Sequence, residues 1–213
     1  MLQFITEASG RFSIAEEAQM AIEGGCRWIQ LSRHSMEDDV EALKANALEL
    51  IPVCKESDAF LVIEDDVDMV NDLKVHGVVL RDSSRTSVLD ARERLGAHAV
   101  IGVWASSVDA ILDLKGVDVD YVLVNADTHM DGLPEDTIAA RFQYLRNRMN
   151  EVGVDMHLVA YGDFTTEAMP ELLAAGCAGV AVSGAIARAE NPVEATSALL
   201  SALEEARSGL YGL

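Results

Sequence analysis

Three carboxylate side chains follow two neighbouring apolar runs of this chain. Glu64 and Asp65 come directly after the run Phe60–Ile63, and Asp82 comes two residues after Val78–Leu80. If both runs are parallel strands, their carboxyl ends meet at one edge and bring the carboxylates together. Carboxylate oxygens, completed by water and substrate phosphates, are ligands that suit Mg²⁺. The pattern predicts a Mg²⁺ site, and the alternative is a solvated acidic start to the next connection.

A second group of residues suits a phosphate. Gly162 and the pair Ser183-Gly184 follow two further apolar runs. Backbone N–H groups at a helix start carry partial positive charge and bind phosphate, and the Ser183 hydroxyl adds a donor. Asp163 would repel an anion here unless a cation such as Arg188 screens it. The alternative is a plain helix start capped by Ser183.

Histidine is the usual general acid–base residue near neutral pH. His129 lies in the loop after the sixth apolar run, close to Asp127 and Asp131. Nearby carboxylates hold up the pKa of a histidine, which suits a catalytic role, and the alternative is a solvated loop residue. His34 follows Arg33 at another run end, where it could contact an anion.

Eight short runs rich in Val, Ile and Leu must position these side chains. Several are almost continuously apolar, which is typical of strands covered on both faces. The runs are Leu2–Ile5, Trp28–Leu31, Phe60–Ile63, Val78–Leu80, Val100–Val103, Tyr121–Val124, His157–Ala160 and Gly179–Val182.

Amphipathic stretches alternate with the runs, as in Ser13–Gly24, and only the connection Asp66–Lys74 is short for a crossover helix. Glycines at Gly24-Gly25 and Gly176 predict left-handed helix ends before the next strand, with a weaker copy at Gly77. Regular alternation of strand and helix predicts a parallel eight-stranded (β/α)₈ TIM barrel spanning residues 1–213 as a single domain. The alternative is an open doubly wound sheet, although no Gly-x-Gly-x-x-Gly follows the first run.

Composition excludes several classes of protein. Of 213 residues, 16 are Lys or Arg and 36 are Asp or Glu, so the formal net charge is −20. Nucleic acids and anionic membranes need a positive face, so we expect neither as a partner. No apolar run approaches the roughly 20 residues of a membrane span. Cys26, Cys54 and Cys177 lack metal-ligand spacing and predict reduced, buried thiols in a cytoplasmic protein.

The chain resembles the thiamine phosphate synthase family, which includes the thiazole tautomerase (TenI-like) branch. The resemblance runs from Phe4-Ile5-Thr6 to about Leu203, and the matching stretches follow one another in the same order as in the family. Its strongest stretches are Ala21–Leu31, Leu61–Val70, Val75–Leu80, Ile101–Val103 and Ala174–Ile186.

The resemblance implies a fold and an activity. Family members are (β/α)₈ barrels, and the synthases join an aminopyrimidine methyl diphosphate to a thiazole phosphate with Mg²⁺, releasing diphosphate. Gln30 matches the Gln that begins the family's Gln-Leu-Arg-x-Lys, and Asp65 matches the metal-binding Asp of its Asn-Asp pair. Gly162 and Ser183 match parts of the thiazole phosphate site. The resemblance therefore implies binding roles for these residues.

The chain departs from the family pattern mainly at positive groups. Ser32 and His34 stand where the family has Arg and Lys, with Arg33 one place along. The family's Gly-Gly pair before helix seven reads Gly162-Asp163 here. In the tautomerase branch the usual catalytic His position reads Ala126, and His129 lies close by.

Three functions stay open at this point. The first is a synthase in which Gln30, Arg33, His34 and His129 are the candidate catalytic residues. Its phosphate contacts would be Gln30, Gly162, Ser183 and Gly184, and its Mg²⁺ ligands Glu64, Asp65 and Asp82. The second is a thiazole tautomerase that uses His129 or a nearby carboxylate, and the third is a non-catalytic or repurposed barrel that binds a small ligand or partner. The two enzymes predict a phosphorylated heterocycle as the partner, and absence of phosphate-ester or thiazole binding would favour the third function. The apolar end Ser208–Leu213 is compatible with a homodimer.

Overall fold

A computed structural model describes residues 1–33, 39–81 and 85–211 of the chain. Within them, eight strands close into one barrel in chain order, and each pairs in parallel with both neighbours. The strands are β1 (Leu2–Ile5), β2 (Trp28–Leu31), β3 (Phe60–Glu64), β4 (Gly77–Leu80), β5 (Val100–Trp104), β6 (Tyr121–Asn125), β7 (His157–Tyr161) and β8 (Gly179–Val182). The predicted (β/α)₈ barrel is confirmed, and the open sheet is wrong.

Helices occupy the connections between the strands. They are α1 (Ile14–Glu23), α2 (Val40–Glu56), α3 (Val67–Leu73), α4 (Arg85–Leu95), α5 (Val108–Leu112), α6 (Ile138–Val152), α7 (Met169–Ala174), α8 (Gly184–Ala187) and α9 (Pro192–Tyr211), with a 3₁₀ turn at Thr166–Ala168. Among these described helices, none combines the length and apolarity that a bilayer crossing needs.

Local sequence signals explain where the helices begin and end. Ser13 caps α1 through a reciprocal pair of hydrogen bonds with Glu16. The predicted left-handed glycines before β2 and β8 are confirmed at Gly25 (φ +104°) and Gly176 (φ +94°). The prediction of a left-handed helix end at Gly77 is wrong, because the left-handed residue there is Lys74.

Apolar side chains fill two layers of the barrel. One layer lies between the strands and the surrounding helices, and the other fills the barrel interior, with Ile5, Val62, Val79, Leu123 and Val159 among its members. This interior layer forms the floor beneath the carboxyl ends of the strands. We therefore expect the functional site at the ends of the strands and in the loops that follow them.

The three cysteines are buried and unpaired, as the sequence predicts. Desolvation raises the pKa of the Cys54 and Cys177 thiols to about 12. Such thiols stay protonated and act as small apolar side chains.

Helix α9 packs against α1 and α7 and covers the junction of the first and last strands. Leu210 near its end is 48% exposed. The homodimer expected from this apolar end stays a prediction.

Candidate active site at the carboxyl ends of the strands

A cavity of about 590 Å³ opens at the carboxyl ends of the strands. Each of the eight strands contributes a lining residue from its end or from the loop that follows. We call the part formed after β2, β3 and β4 the β3 side; Ser32, Glu64 and Arg81 line it, and Asp65 contacts Arg81. The part formed after β7, β8 and β1 is the β8 side, with Glu7, Asp163, Ser183 and Arg188.

Glu64 is the most tightly held carboxylate of the β3 side. It is only 5% exposed, and its Oε2 accepts hydrogen bonds from the Ser32 hydroxyl and the Arg33 backbone N–H, both at 2.8 Å. Ser32 is itself fixed, because its N–H donates to Thr6 Oγ1 at 3.1 Å. These neutral donors hold the carboxylate at the cavity wall without cancelling its charge.

Asp65 turns away from the strand direction in a left-handed conformation, with φ at +57°. Aspartate tolerates this conformation better than most residues. Its Oδ1 accepts from the Arg81 backbone N–H at 2.6 Å, and its Oδ2 accepts from the Arg81 guanidinium. The pairing of β3 with β4 thus brings together the residues after both strands. The third predicted metal ligand, Asp82, lies outside the described residues.

On the β8 side, one arginine joins two carboxylates from distant parts of the chain. The Arg188 guanidinium donates to Glu7 Oε1 and to Asp163 Oδ2. Ser183 Oγ donates to Glu7 Oε2 at 3.2 Å, and the Ala185 N–H donates to Asp163 Oδ1 at 2.8 Å. The predicted neighbourhood of Gly162, Ser183 and Gly184 therefore contains the screening cation that Asp163 requires.

A buried carboxylate supports the β8 side from below. Glu17 on α1 is fully buried and accepts hydrogen bonds from the backbone N–H groups of Glu7 at 3.2 Å and Ser9 at 2.9 Å. These bonds fix the loop that follows β1. Glu17 is thus a positioning residue for Glu7.

Two aromatic rings form the wall between the two sides. Trp104 and Tyr161 pack edge to face, with ring centroids 5.1 Å apart. Burial raises the pKa of the Tyr161 phenol, and the nearby charges of Asp163 and Glu7 raise it further. The ring therefore stays neutral and offers an apolar surface with a hydroxyl at its edge.

Gln30 lies beneath the cavity and is not among its lining residues. It is fully buried in β2, and its Oε1 accepts from Gln3 Nε2 at 3.0 Å. Gln3 Nε2 also donates to the Tyr121 hydroxyl at 3.0 Å. The structure places Gln30 in a polar layer inside the barrel, and its predicted contact with substrate stays a prediction.

Two other predicted catalytic residues, Arg33 and His129, are not among the lining residues of the cavity. His129 is exposed on the loop before α6, where its Nε2 lies 3.3 Å from Asp131 Oδ1. Arg33 contributes its backbone N–H to Glu64. His34 lies outside the described residues. The catalytic roles of all three residues stay predictions.

Glu7, Trp104 and Tyr161 are among the lining residues to which the sequence assigned no role. Each lies at or just after a strand end, and this position is the signal that points to them. Arg188, expected only as a cation that screens Asp163, lies on the turn of helix after Ser183-Gly184 and contacts both Glu7 and Asp163.

An all-parallel barrel with polar side chains gathered at one rim around a cavity is the arrangement of a (β/α)₈-barrel small-molecule site. The family model described as thiamine monophosphate synthase matches residues 2–186. The chain belongs to this family.

Individual relatives agree with this assignment. A thiamine-phosphate synthase of Bacteroides thetaiotaomicron is 34% identical over 203 residues, covering 94% of this chain and 96% of the relative. One from Natronomonas pharaonis is 30% identical, with 93% of this chain and 91% of the relative covered. The structure of a thiamine phosphate pyrophosphorylase from Pyrococcus furiosus matches with a TM-score of 0.78 at 23% identity, covering 96% of each chain. This structural likeness supports the fold.

Proposed function

We propose that the chain is an enzyme that joins an aminopyrimidine methyl diphosphate to a thiazole phosphate, forming thiamine phosphate and diphosphate. One observation carries the proposal: in a member of the thiamine monophosphate synthase family, all eight strand ends line one cavity, whose lining includes Glu64, Trp104 and Tyr161. In this reaction the methylene C–O bond breaks, and its electron pair leaves with diphosphate. The lone pair of the thiazole nitrogen forms the new C–N bond.

The side chains supply position and charge for this reaction. We assign the diphosphate to the β3 side, where Arg81 is 52% exposed and can turn from Asp65 to an incoming anion. Trp104 and Tyr161 provide flat surfaces for the two heterocycles. Orientation of two reactants in a partly enclosed cavity accounts for much of the rate that such a reaction needs.

The donor set of the β3 side fits Mg²⁺. Glu64 and Asp65 offer hard carboxylate oxygens, and Mg²⁺ in phosphate-transfer sites uses one or two carboxylates with substrate phosphates and water. Glu64 lines the cavity, and its Oε1 lies 3.9 Å from Arg81 Nε. When bound there, the ion would neutralise the charge that develops on diphosphate.

The three buried, unpaired cysteines support a reducing compartment, and we propose the cytoplasm.

Incubation of the purified protein with both precursors and Mg²⁺ tests the proposed reaction. Thiamine phosphate should accumulate, as measured by oxidation to its fluorescent thiochrome form, and should depend on Mg²⁺. Samples lacking one precursor are the controls. Absence of thiamine phosphate at high enzyme concentration would refute the proposal.

A further inference from the structure

The hydrogen-bond donors of the β8 side are already engaged by carboxylates of the chain itself. The Ala185 N–H donates to Asp163 at 2.8 Å, and the Ser183 hydroxyl donates to Glu7 at 3.2 Å. These are donors of the turn at which the sequence predicts a phosphate. The carboxylate oxygens of Asp163 and Glu7 therefore accept the hydrogen bonds that these donors would otherwise give to the oxygens of that phosphate.

The backbone of the β8–α8 turn is shaped to keep this arrangement. A Cβ added to Gly184 would lie 1.8 Å from Arg188 Nη2 and 2.6 Å from Asp163 Oδ2. Glycine at this position leaves room for the Arg188–Asp163 ion pair to lie against the turn.

Charge then decides which ligand the β8 side accepts. Two carboxylates and one guanidinium leave this part of the cavity with a formal charge of −1. A phosphate ester brings further negative charge to the same place and must displace Asp163 from its donors. An alcohol is uncharged, and its hydroxyl donates a hydrogen bond to a carboxylate oxygen.

We propose that Asp163 is a specificity-determining residue of the acceptor site, which makes the enzyme favour a thiazole with a free alcohol over the thiazole phosphate. The inference rests on the proposed coupling reaction and changes only the preferred acceptor. The bonds are the same: the methylene C–O bond breaks, diphosphate leaves with the electron pair, and the thiazole nitrogen forms the C–N bond without proton transfer. The product with the alcohol is thiamine.

The test compares kcat/KM for the two acceptors with the same pyrimidine diphosphate and Mg²⁺. In the wild type the alcohol should be favoured by roughly tenfold or more, because like charges oppose the phosphate. Asp163→Asn keeps an oxygen that accepts from Ala185 and removes the charge, so the ratio should shift by roughly tenfold toward the phosphate. Asp163→Gly should shift it in the same direction.

Asp136→Asn is the matched control, since Asp136 is exposed on the loop before α6 and the change in net charge is identical. Its acceptor ratio should equal that of the wild type. A wild-type enzyme that favours the phosphate overturns the proposal, and this measurement needs no variant. A ratio that Asp163→Asn leaves unchanged also overturns it.

Binding without turnover separates this inference from the proposed reaction. Calorimetric titration with each acceptor alone should show tighter binding of the alcohol to the wild type and a gain in phosphate affinity in Asp163→Asn. If neither acceptor yields product, the proposed reaction fails while these titrations still decide the inference. Tighter binding of the phosphate to the wild type would reject the role of Asp163.

Discussion

The two sides of the rim both combine two carboxylates with one arginine, but they hold them differently. On the β3 side, Glu64 is held by neutral donors and lies 3.9 Å from Arg81 Nε. On the β8 side, a single guanidinium contacts both carboxylates directly.

This difference separates two kinds of ligand chemistry. A carboxylate held by a hydroxyl and an N–H keeps its charge and attracts a cation. On the β3 side Arg81 contacts Asp65 directly and Glu64 only at 3.9 Å, whereas on the β8 side Arg188 contacts both carboxylates directly, so an anion there must compete with two carboxylates for one arginine. We therefore expect the β3 side to respond to Mg²⁺ and diphosphate, and the β8 side to respond to the charge of the acceptor.

Removal of the Asp65 charge should have the largest effect. Asn tolerates the left-handed conformation, so Asp65→Asn should keep the backbone and lower kcat/KM for coupling roughly 100-fold by weakening metal-assisted stabilisation of diphosphate. The Mg²⁺ concentration for half-maximal rate should rise. Steady-state rates over a Mg²⁺ series provide the measurement.

Asp68→Asn is the control for this variant. Asp68 is 84% exposed on α3, pairs with Arg94 and is not a lining residue of the cavity. Equal losses of activity in both variants would show that the net charge of the protein, and not the β3 side, controls the reaction.

Truncation of Glu17 should loosen the β8 side alone. Glu17→Ala leaves the N–H groups of Glu7 and Ser9 without their acceptor, which should lower the free energy of unfolding by about 1–3 kcal/mol. Glu17→Gln keeps one acceptor oxygen and should lose less. Urea denaturation measures the change.

Glu23→Ala serves as the control on the same helix, because Glu23 is exposed and the change in charge is the same. It should alter the free energy of unfolding by no more than about 0.5 kcal/mol. Equal losses for the two alanine variants would mean that the hydrogen bonds to the β1 loop contribute nothing.

The smallest expected effect is on the titration of Tyr161. Burial raises the pKa of this phenol above its ordinary value of 10.0, and the charge of Asp163 raises it further, so Asp163→Asn should lower it. Because the folded pKa is raised, the unfolded chain loses the proton first, and this residue makes stability fall as pH rises above about 10. NMR of ¹³C-labelled tyrosine, assigned with Tyr161→Phe, follows the titration. An unchanged pKa in Asp163→Asn would contradict the charged contact.

Most of the fold could be predicted from local patterns. Each strand is a short apolar run, and each predicted run lies within one residue of the observed strand. Parallel strands that are covered on both faces need apolar residues on both faces, so each can be recognised as a run of consecutive apolar residues. The connection Asp66–Lys74 was the least regular, yet it contains α3 because Asp66 caps the helix by accepting from the Met69 N–H.

The candidate site was predicted in part. Glu64, Ser183 and Gly184 line the cavity because the end of a strand in a barrel faces the rim wherever it lies in the sequence. Gln30 was expected at the cavity, but its position in β2 places it one layer below the rim. His129 has the right residue type, but its loop carries it to the surface.

By itself, the sequence determined the order of strands and helices, the closed parallel barrel and the ring of polar residues at the carboxyl ends. Only the tertiary structure decided which of those residues meet. Arg188 and Glu7 are 181 residues apart in the chain and become neighbours only because β8 pairs with β1 to close the barrel. Strand patterns depend on neighbouring residues, whereas ion pairs depend on closure of the barrel and on the space that Gly184 leaves free.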